Sequence, residues 1–452
     1  MNKKAFLALL IAVFIPIFSY LVLKSTSESA VTVPKKYFFD TVVTKEENGK
    51  IKKCELRIYE PPRYFEKFLE GREPNAVIDA VARICGICPL AYQTAAAGAM
   101  EKVFGIETSQ WVKDARLLMM LGQWIQSHYL HVHLLAAPDF LGYRSGIEMA
   151  KDFPNEVVRG VRLQHLGNDL MKLFGGRSVH PNGVKLGGFW HSPKESAVKA
   201  FVPRLKAALE DAKGVIEFVS TLKFPDTTIP FIQVSLRHPT EYPVIASGVI
   251  TSRGEQFDVN DWEQHFREFH APQSTALHST TVEGDPLLLG PLPRINLNFD
   301  RLPKHIQDLA NATGVKFPSN NMFHSVIARA VEGYWALERA LQLCEAYSYT
   351  DTPSAPEKVA AGSAWFGVEA PRGIQIDEFE FDAAGLAKHI RISAPTSQNL
   401  PCMEADLRIA LEKFGLERPD AEIQLHAEMV IRNYDPCISC SAHFLTLNVT
   451  RK

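Results

Sequence analysis

No sign of charge dominates this chain. Its 49 lysines and arginines nearly cancel 51 aspartates and glutamates, a formal net charge of −2, so a polyanion such as a nucleic acid would find no electrostatic footprint on it. Phosphate loops are lacking too. The glycine-rich stretch FGGRSVHPNGVKLGG contains neither G-x-G-x-x-G nor G-K-[ST], and reads as turns. Cysteine is sparse, seven in 452 residues, and nothing in its placement suggests a disulfide framework. No internal repeat or low-complexity tract breaks the chain, and 46% hydrophobic residues over this length can bury a sizeable core.

Four of the seven cysteines form two C-x-x-C pairs at opposite ends of the chain: RICGICP, Arg83 to Pro89, and DPCISCSAH, Asp435 to His443. Four thiolates meeting at one site favour zinc, copper(I), an iron–sulfur cluster or a nickel and iron centre over magnesium or calcium. A structural zinc is the plain alternative. Zinc-ribbon pairs, however, lie about 15–20 residues apart, whereas most of the protein separates Cys88 from Cys437. The flanks add chemistry. Pro89 opens PLAYQTAAAGAMEKVFG, a helix with proline in its first turn, so the first pair sits on a turn entering a helix. Asp435 and Pro436 end EIQLHAEMVIRNY and set a carboxylate beside the second pair, with the imidazole of His443 three residues after Cys440. Cys54, Cys344 and Cys402 read as buried, reduced thiols.

The chain is read as an α-rich α/β unit. KIKKCELRIYE alternates like a strand, and residues 74–150, 197–222 and 324–347 carry helical periodicity. Residues 242–300, richer in Gly, Pro and Thr, read as strands and loops. Ahead of this unit, Lys3 and Lys4 precede an uncharged apolar run from Ala5 to Leu23, long enough to cross a bilayer of about 30 Å. A secretory signal has a shorter apolar region and a small-residue cleavage site, so residues 1–34 read as an uncleaved anchor in preference to a signal, and 35–50 as an atypical linker.

The blocks EPPRYFEKFLEGR, SHYLHVHLLAAPDFLGY, GGRSVHPNGVKLGGFW, EAPRG and APTSQN lie between the two cysteine pairs or just ahead of the first. With the pairs, they resemble the large, catalytic subunit of nickel–iron hydrogenases, closest to the cytoplasmic, multimeric, sulfhydrogenase-like branch. The resemblance runs from about Asn48 to Lys452. Residues 1–50 instead resemble the anchored start of SCO/SenC copper-delivery proteins, which suggests a join near Lys45 to Lys50.

The resemblance implies the large-subunit fold over residues 51–443 and reversible oxidation of H2 in the cytoplasm. By position, Cys85 and Cys437 would be terminal nickel ligands, and Cys88 and Cys440 would bridge nickel to an iron carrying carbon monoxide and cyanide. Arg372 and Pro371 would stand over the metals, with Asp435 beside Arg372, and Pro395 and Thr396 would contact cyanide. Magnesium would be held by Glu66, His443 and a backbone carbonyl near Ile392; Glu66 read alone is a solvated helix charge. Electrons would leave through an iron–sulfur small subunit and then diaphorase subunits. Residues 444–452 would form a tail removed on maturation. Alternatives are a hydrogenase-like subunit of a respiratory complex, which lacks the metal cysteines, and a membrane-anchored metal-binding or zinc-structured protein.

His128, His131 and His133 could bind metal from one helical face but read better as packed residues beside the thiolate site. His180 suits a turn or a place near the centre equally. Two departures from the family pattern stand out. The N-terminal R-[IV]-E-G glutamate, which takes a proton from a nickel-bound cysteine, is missing near Tyr37, and Asp377 replaces a histidine after EAPRG. A chain that binds metals and turns H2 over slowly is the expectation from the first.

Overall fold

A computed structural model describes residues 39–45, 50–58, 64–437 and 447–450, the first and last of these as backbone only. The expected anchor, residue 37, Cys440 and His443 lie outside the described residues. Among the described residues no helix is long and apolar enough to cross a membrane.

Strand β1 (Phe39–Lys45) falls in the segment read from sequence as a linker, and pairs antiparallel with β2 (Ile51–Ile58). A short α1 (Phe65–Leu69) follows. Prolines then open the helices: Pro74 begins α2 (Pro74–Val81) and Pro89 begins α3 (Pro89–Phe104), positions where the missing N–H has no helical partner to lose. The Ala-rich α3 is buried almost all round, as befits a central helix. Helix α4 (Gln110–Leu130), capped by the Ser109 hydroxyl, runs on into a π-helical turn, His131–Ala136. It packs against α5 (Pro154–Gly175) at a glycine crossing. A Cβ on Gly167 would meet Gly122 O and Gln126 N at 2.5 Å, so only glycine lets the two backbones approach this closely. Helix α6 (Phe201–Ser220) completes this half.

The stretch from 242 to 300 holds strands as the Gly, Pro and Thr content implies, though it ends in a helix. Strands β3 (Ile232–Arg237), β4 (Gly248–Thr251) and β5 (Gln256–Asp258) form an antiparallel run. The hairpin β6 (Phe266–His270) and β7 (Leu277–Thr281) follows, and β8 (Leu287–Leu288) returns parallel to β3. Then come α7 (Pro291–Asn298) and α8 (Ser325–Ala346), the latter packed on α4 and α6.

A three-stranded antiparallel sheet, β9 (Gly362–Ala370), β10 (Gly373–Phe381) and β11 (Ala387–Ser393), packs on α3 and carries the EAPRG block. Helices α9 (Pro395–Phe414) and α10 (Asp420–Asn433) bring the chain back toward the first cysteine pair. Strand β12 (Leu447–Thr450) lies parallel to β1. The largest apolar core joins α2 to α6, α8 and the β9–β11 sheet, and it includes Cys85, Cys88 and Cys437.

Candidate metal centre

Backbone turns place the first pair. The segment ahead of α3 bends so that the N–H groups of Ile87 and Cys88 point at Cys85 Sγ, at 3.3 and 3.2 Å. Two amides of α4 hold this turn: Gln123 Oε1 accepts from Leu90 N, and Gln126 Nε2 donates to Ile87 O, both at 2.8 Å. Nothing in the sequence reading pointed to either glutamine.

Cys437 arrives from beyond α10. Asp435 turns the chain with φ 55°, and Cys437 N donates to Thr396 Oγ1 at 3.1 Å, just inside the start of α9. Cys85 Sγ and Cys437 Sγ are then 3.4 Å apart, although the residues stand 352 positions apart in sequence. Sulfur atoms of Cys85, Cys88 and Cys437 all lie within 4.8 Å of one another, all buried. Among the described residues, no other group of three His, Cys, Asp or Glu comes this close.

Arg372 stands at the tip of the β9–β10 hairpin, where Ala370 pairs with Gly373 across a two-residue turn of Pro371 and Arg372. Gly373 is required here twice over. Its φ is 136°, and a Cβ would lie 2.7 Å from Leu289 Cβ and 3.3 Å from Pro395 Cβ, so Pro395 packs against the hairpin tip. The guanidinium is 5% exposed, yet stays charged. Burial lowers its pKa, but Asp435, Cys437, Cys88 and Cys85 together raise it above the ordinary arginine value. Its Nε donates to Asp435 O and Nη2 to Asp435 Oδ1. Among the described residues Nη1 has no hydrogen-bond partner.

Behind the hairpin lies a buried ionic cluster that sequence reasoning missed. Arg294 donates to both Glu332 oxygens at 2.8 Å, to Glu369 Oε2 at 2.9 Å, and to the carbonyls of Ala370 and Pro371. Tyr242 and His128 lie against Glu332 as well. Burial raises the Glu332 carboxyl, but Arg294 outweighs it and brings it to about 2. One guanidinium thus pins the backbone that aims Arg372. The only sequence signal was a charge at a buried position: Glu332 in the apolar stretch SVIARAVEGYWAL of α8.

The three histidines are fully buried. Burial brings His128 and His133 down to about 4. His131 Nε2 meets Arg432 O, and His133 Nδ1 meets Tyr129 O in the π turn, so they sit packed and do not converge on a metal. His180 takes a left-handed turn, φ 50°, with Nδ1 2.6 Å from Ala82 O, beside the first cysteine turn. Cys54, Cys344 and Cys402 are buried thiols outside any disulfide, and burial pushes the first two up to about 12.

Glu66 on α1 meets Ile392 through an N–H: Ile392 N donates to Glu66 Oε1 at 2.8 Å. The Ile392 carbonyl, the group expected to bind magnesium, is not the atom engaged there.

Three buried thiols beneath a guanidinium form a donor set suited to a soft transition metal, and the frame around it is mixed α/β. Comparison with known proteins narrows the class. The nickel-dependent hydrogenase family matches residues 63–153. Sulfhydrogenase 1 subunit alpha of Pyrococcus furiosus is 30% identical over 402 residues, which cover 88% of this chain and 93% of the relative. Sulfhydrogenase 2 subunit alpha of the same organism is 29% identical, covering 89% and 95%. Among solved structures, an NAD+-reducing [NiFe]-hydrogenase in the H2-reduced state shares the fold with a TM-score of 0.81 at 23% identity, covering 88% of this chain and 95% of its own. The chain belongs to the nickel-dependent hydrogenase family.

Proposed function

We propose that this chain is the catalytic subunit of a nickel–iron hydrogenase, carrying out the reversible oxidation of H2 to two protons and two electrons. The observation that carries this reading is the meeting of Cys85, Cys88 and Cys437 beneath Arg372. Cys85 and Cys437 would hold nickel, and Cys88 with Cys440 would bridge it to an iron with carbon monoxide and cyanide ligands. When bound, the centre supplies a soft, two-metal site for splitting dihydrogen and accepting its electrons.

The chain's own residues do the rest. Arg372, buried and held from two sides by Asp435, presents Nη1 as a donor that water does not compete for. Thr396 fixes Cys437 by its hydroxyl, and Pro371 and Pro395 wall the hairpin tip where cyanide would lie. Magnesium at Glu66, Ile392 and His443 would brace the C-terminal segment. No cysteines beyond the two pairs are arranged for a cluster, so electrons would leave through an iron–sulfur small subunit and then a diaphorase. The catalytic domain would work in the cytoplasm, tethered to a membrane if residues 5–23 serve as an anchor.

A respiratory-complex subunit is disfavoured because both cysteine pairs are retained. A structural zinc is separated by metal analysis. Purified protein should contain nickel and iron and show infrared bands of metal-bound CO and CN. Cys85→Ser and Cys437→Ser should each lose nickel and H2 exchange while keeping helical content, because the core does not depend on the ligand. Zinc without those bands, or full nickel in either variant, would overturn the reading.

A further inference from the structure

A buried carboxyl sits in the second apolar core, away from every group assigned so far. Asp406, 4% exposed, lies on α9 among Cys402, Met403, Leu407 and Ala410 of that core. Among the described residues it forms no ion pair. Its partner is a phenol: the Tyr434 hydroxyl donates to Asp406 Oδ2 at 2.7 Å. Cys402 Sγ, one helical turn earlier on the same face, is 3.6 Å from the same hydroxyl. For stability alone this is a poor arrangement. A carboxyl out of water without a counter-cation is costly, and an apolar pair of the same shape would hold the core as well or better. What a satisfied buried polar contact adds is a fixed position.

The position it fixes is next to the metal centre. Tyr434 is where α10 stops: its N–H reaches Ile431 O, Asp435 N reaches Arg432 O at 2.8 Å, and the chain then reverses at Asp435 with φ 55°. Immediately after the phenol come the two groups of Asp435 that grip Arg372, and then Cys437. Helix α9 holds this turn at both ends, Asp406 taking Tyr434 at its start and Thr396 Oγ1 taking Cys437 N at its close. Helix α8 holds the residue ahead of it, through Arg329 Nη1 and Ser325 Oγ on Asn433 O at 3.2 Å each. A non-glycine residue keeps a left-handed conformation only while its surroundings impose it. Released at the Tyr434 end, the turn would relax and carry Asp435 and Cys437 with it.

We propose that Asp406 is a positioning residue of the metal centre: through Tyr434 it holds the strained turn on which Asp435 grips Arg372 and Cys437 meets Cys85. Asp406 touches neither the metals nor Arg372 and acts only through that turn. This inference rests on the hydrogenase reading of the thiolate site.

The test compares Tyr434→Phe, Asp406→Val and the double variant in the full, metal-loaded chain. Each single variant strands a buried polar group and should lower the urea midpoint; the double variant removes both partners and should recover most of it. H2 exchange per bound nickel should nevertheless stay at least tenfold down in the double variant, the scale of a small misplacement at a reacting centre, and its infrared CO and CN bands should shift. Asp406→Asn keeps an acceptor oxygen and should restore both the exchange rate and the band positions. A double variant that regains parental exchange and bands along with its stability would show the bond to be structural only, and the inference falls. The metal-free chain keeps the two readings apart. There, the amides of Asp435 and Cys437 should exchange with deuterium faster in the double variant than in the parent or in Asp406→Asn. A parent without nickel or those bands overturns the hydrogenase reading, and unchanged amide exchange overturns the positioning role whatever the metal analysis shows.

Discussion

Arg372 Nη2 donates to Asp435 Oδ1 at 3.0 Å while Arg372 Nε donates to the Asp435 carbonyl at 2.6 Å, so a single residue grips the guanidinium by side chain and backbone together. Asp435 achieves this with φ 55°, a region that non-glycine residues seldom enter. Strain of that kind is sustained where surroundings over-determine it, and here the surroundings are Arg372, Cys437 and Thr396.

Arg372→Lys keeps the charge but not the fork. A lysine ammonium has its three donors on one nitrogen, so it does not reproduce a fork that spans the Asp435 carbonyl and carboxylate from two nitrogens while a third faces the site. Exchange of H2 with solvent deuterons should fall by about 10²-fold or more, the scale set by losing one preorganised donor in a dry site. Nickel content should be unchanged, since no ligand is touched. An exchange rate equal to the parent's would remove Arg372 from the chemistry.

Arg294 offers a different prediction, in stability. Arg294→Met strands Glu332 and Glu369, both fully buried, and breaking a buried ion pair from one side costs roughly 3–5 kcal/mol. Urea denaturation should show that loss. The hairpin that carries Arg372 loses its backbone anchor as well, so H2 exchange per bound nickel should drop. Glu332→Gln keeps the shape and should cost less.

The contrast between these two arginines marks what the sequence made legible. Arg372 stands inside a local motif, as do Cys85 and Cys88 on a turn before a proline-opened helix, and local chemistry reads directly from neighbours in the chain. Arg294, Glu332 and Glu369 are far apart in sequence, and only the packing of α7, α8 and β9 makes them one cluster. The histidine series is the converse case. His128, His131 and His133 have ligand-like spacing, but α4 and the π turn after it carry them into the core, where His128 lies against Glu332 and His131 and His133 meet the carbonyls of Arg432 and Tyr129. Strand β1 is short and follows the apolar run, so residues 35–50 read as a linker, yet it pairs with the neighbouring β2 as well as with β12 from the other end of the chain.

His133 makes a pH prediction. Burial holds its folded pKa near 4, against 6.5 for the free side chain, so between these values the unfolded chain binds a proton that the folded chain refuses. The stability tied to this residue is therefore complete above about pH 6.5 and is lost as pH falls toward 4. Carboxylates raised by burial, Glu268 to about 7 and Asp406 to about 6, act with the opposite sign, so the parent's total profile is a sum. His133→Gln isolates one member of it. Relative to the parent, the variant should gain about 2 kcal/mol in unfolding free energy between pH 7 and pH 5, read from urea midpoints at the two values. Parallel profiles would mean that His133 titrates normally.

The last prediction concerns residues 444–452. In this family the precursor tail is expected to be cut after the second motif, between His443 and Phe444, once nickel is in place. In this chain the tail carries β12, which pairs with β1 through Thr41 and Leu447 to Thr44 and Thr450. A four-residue parallel strand adds little stability of its own, and β1 keeps its antiparallel partner β2 along Phe39–Lys45. Trimming should therefore leave the melting temperature nearly unchanged. It should expose the amides of β1 that face β12, seen as faster hydrogen exchange confined to Phe39–Lys45, while β2 stays protected. Intact mass of nickel-loaded, active protein supplies the second reading and should end at His443. Active protein bearing the full tail would mean that β12 is a permanent strand of the enzyme.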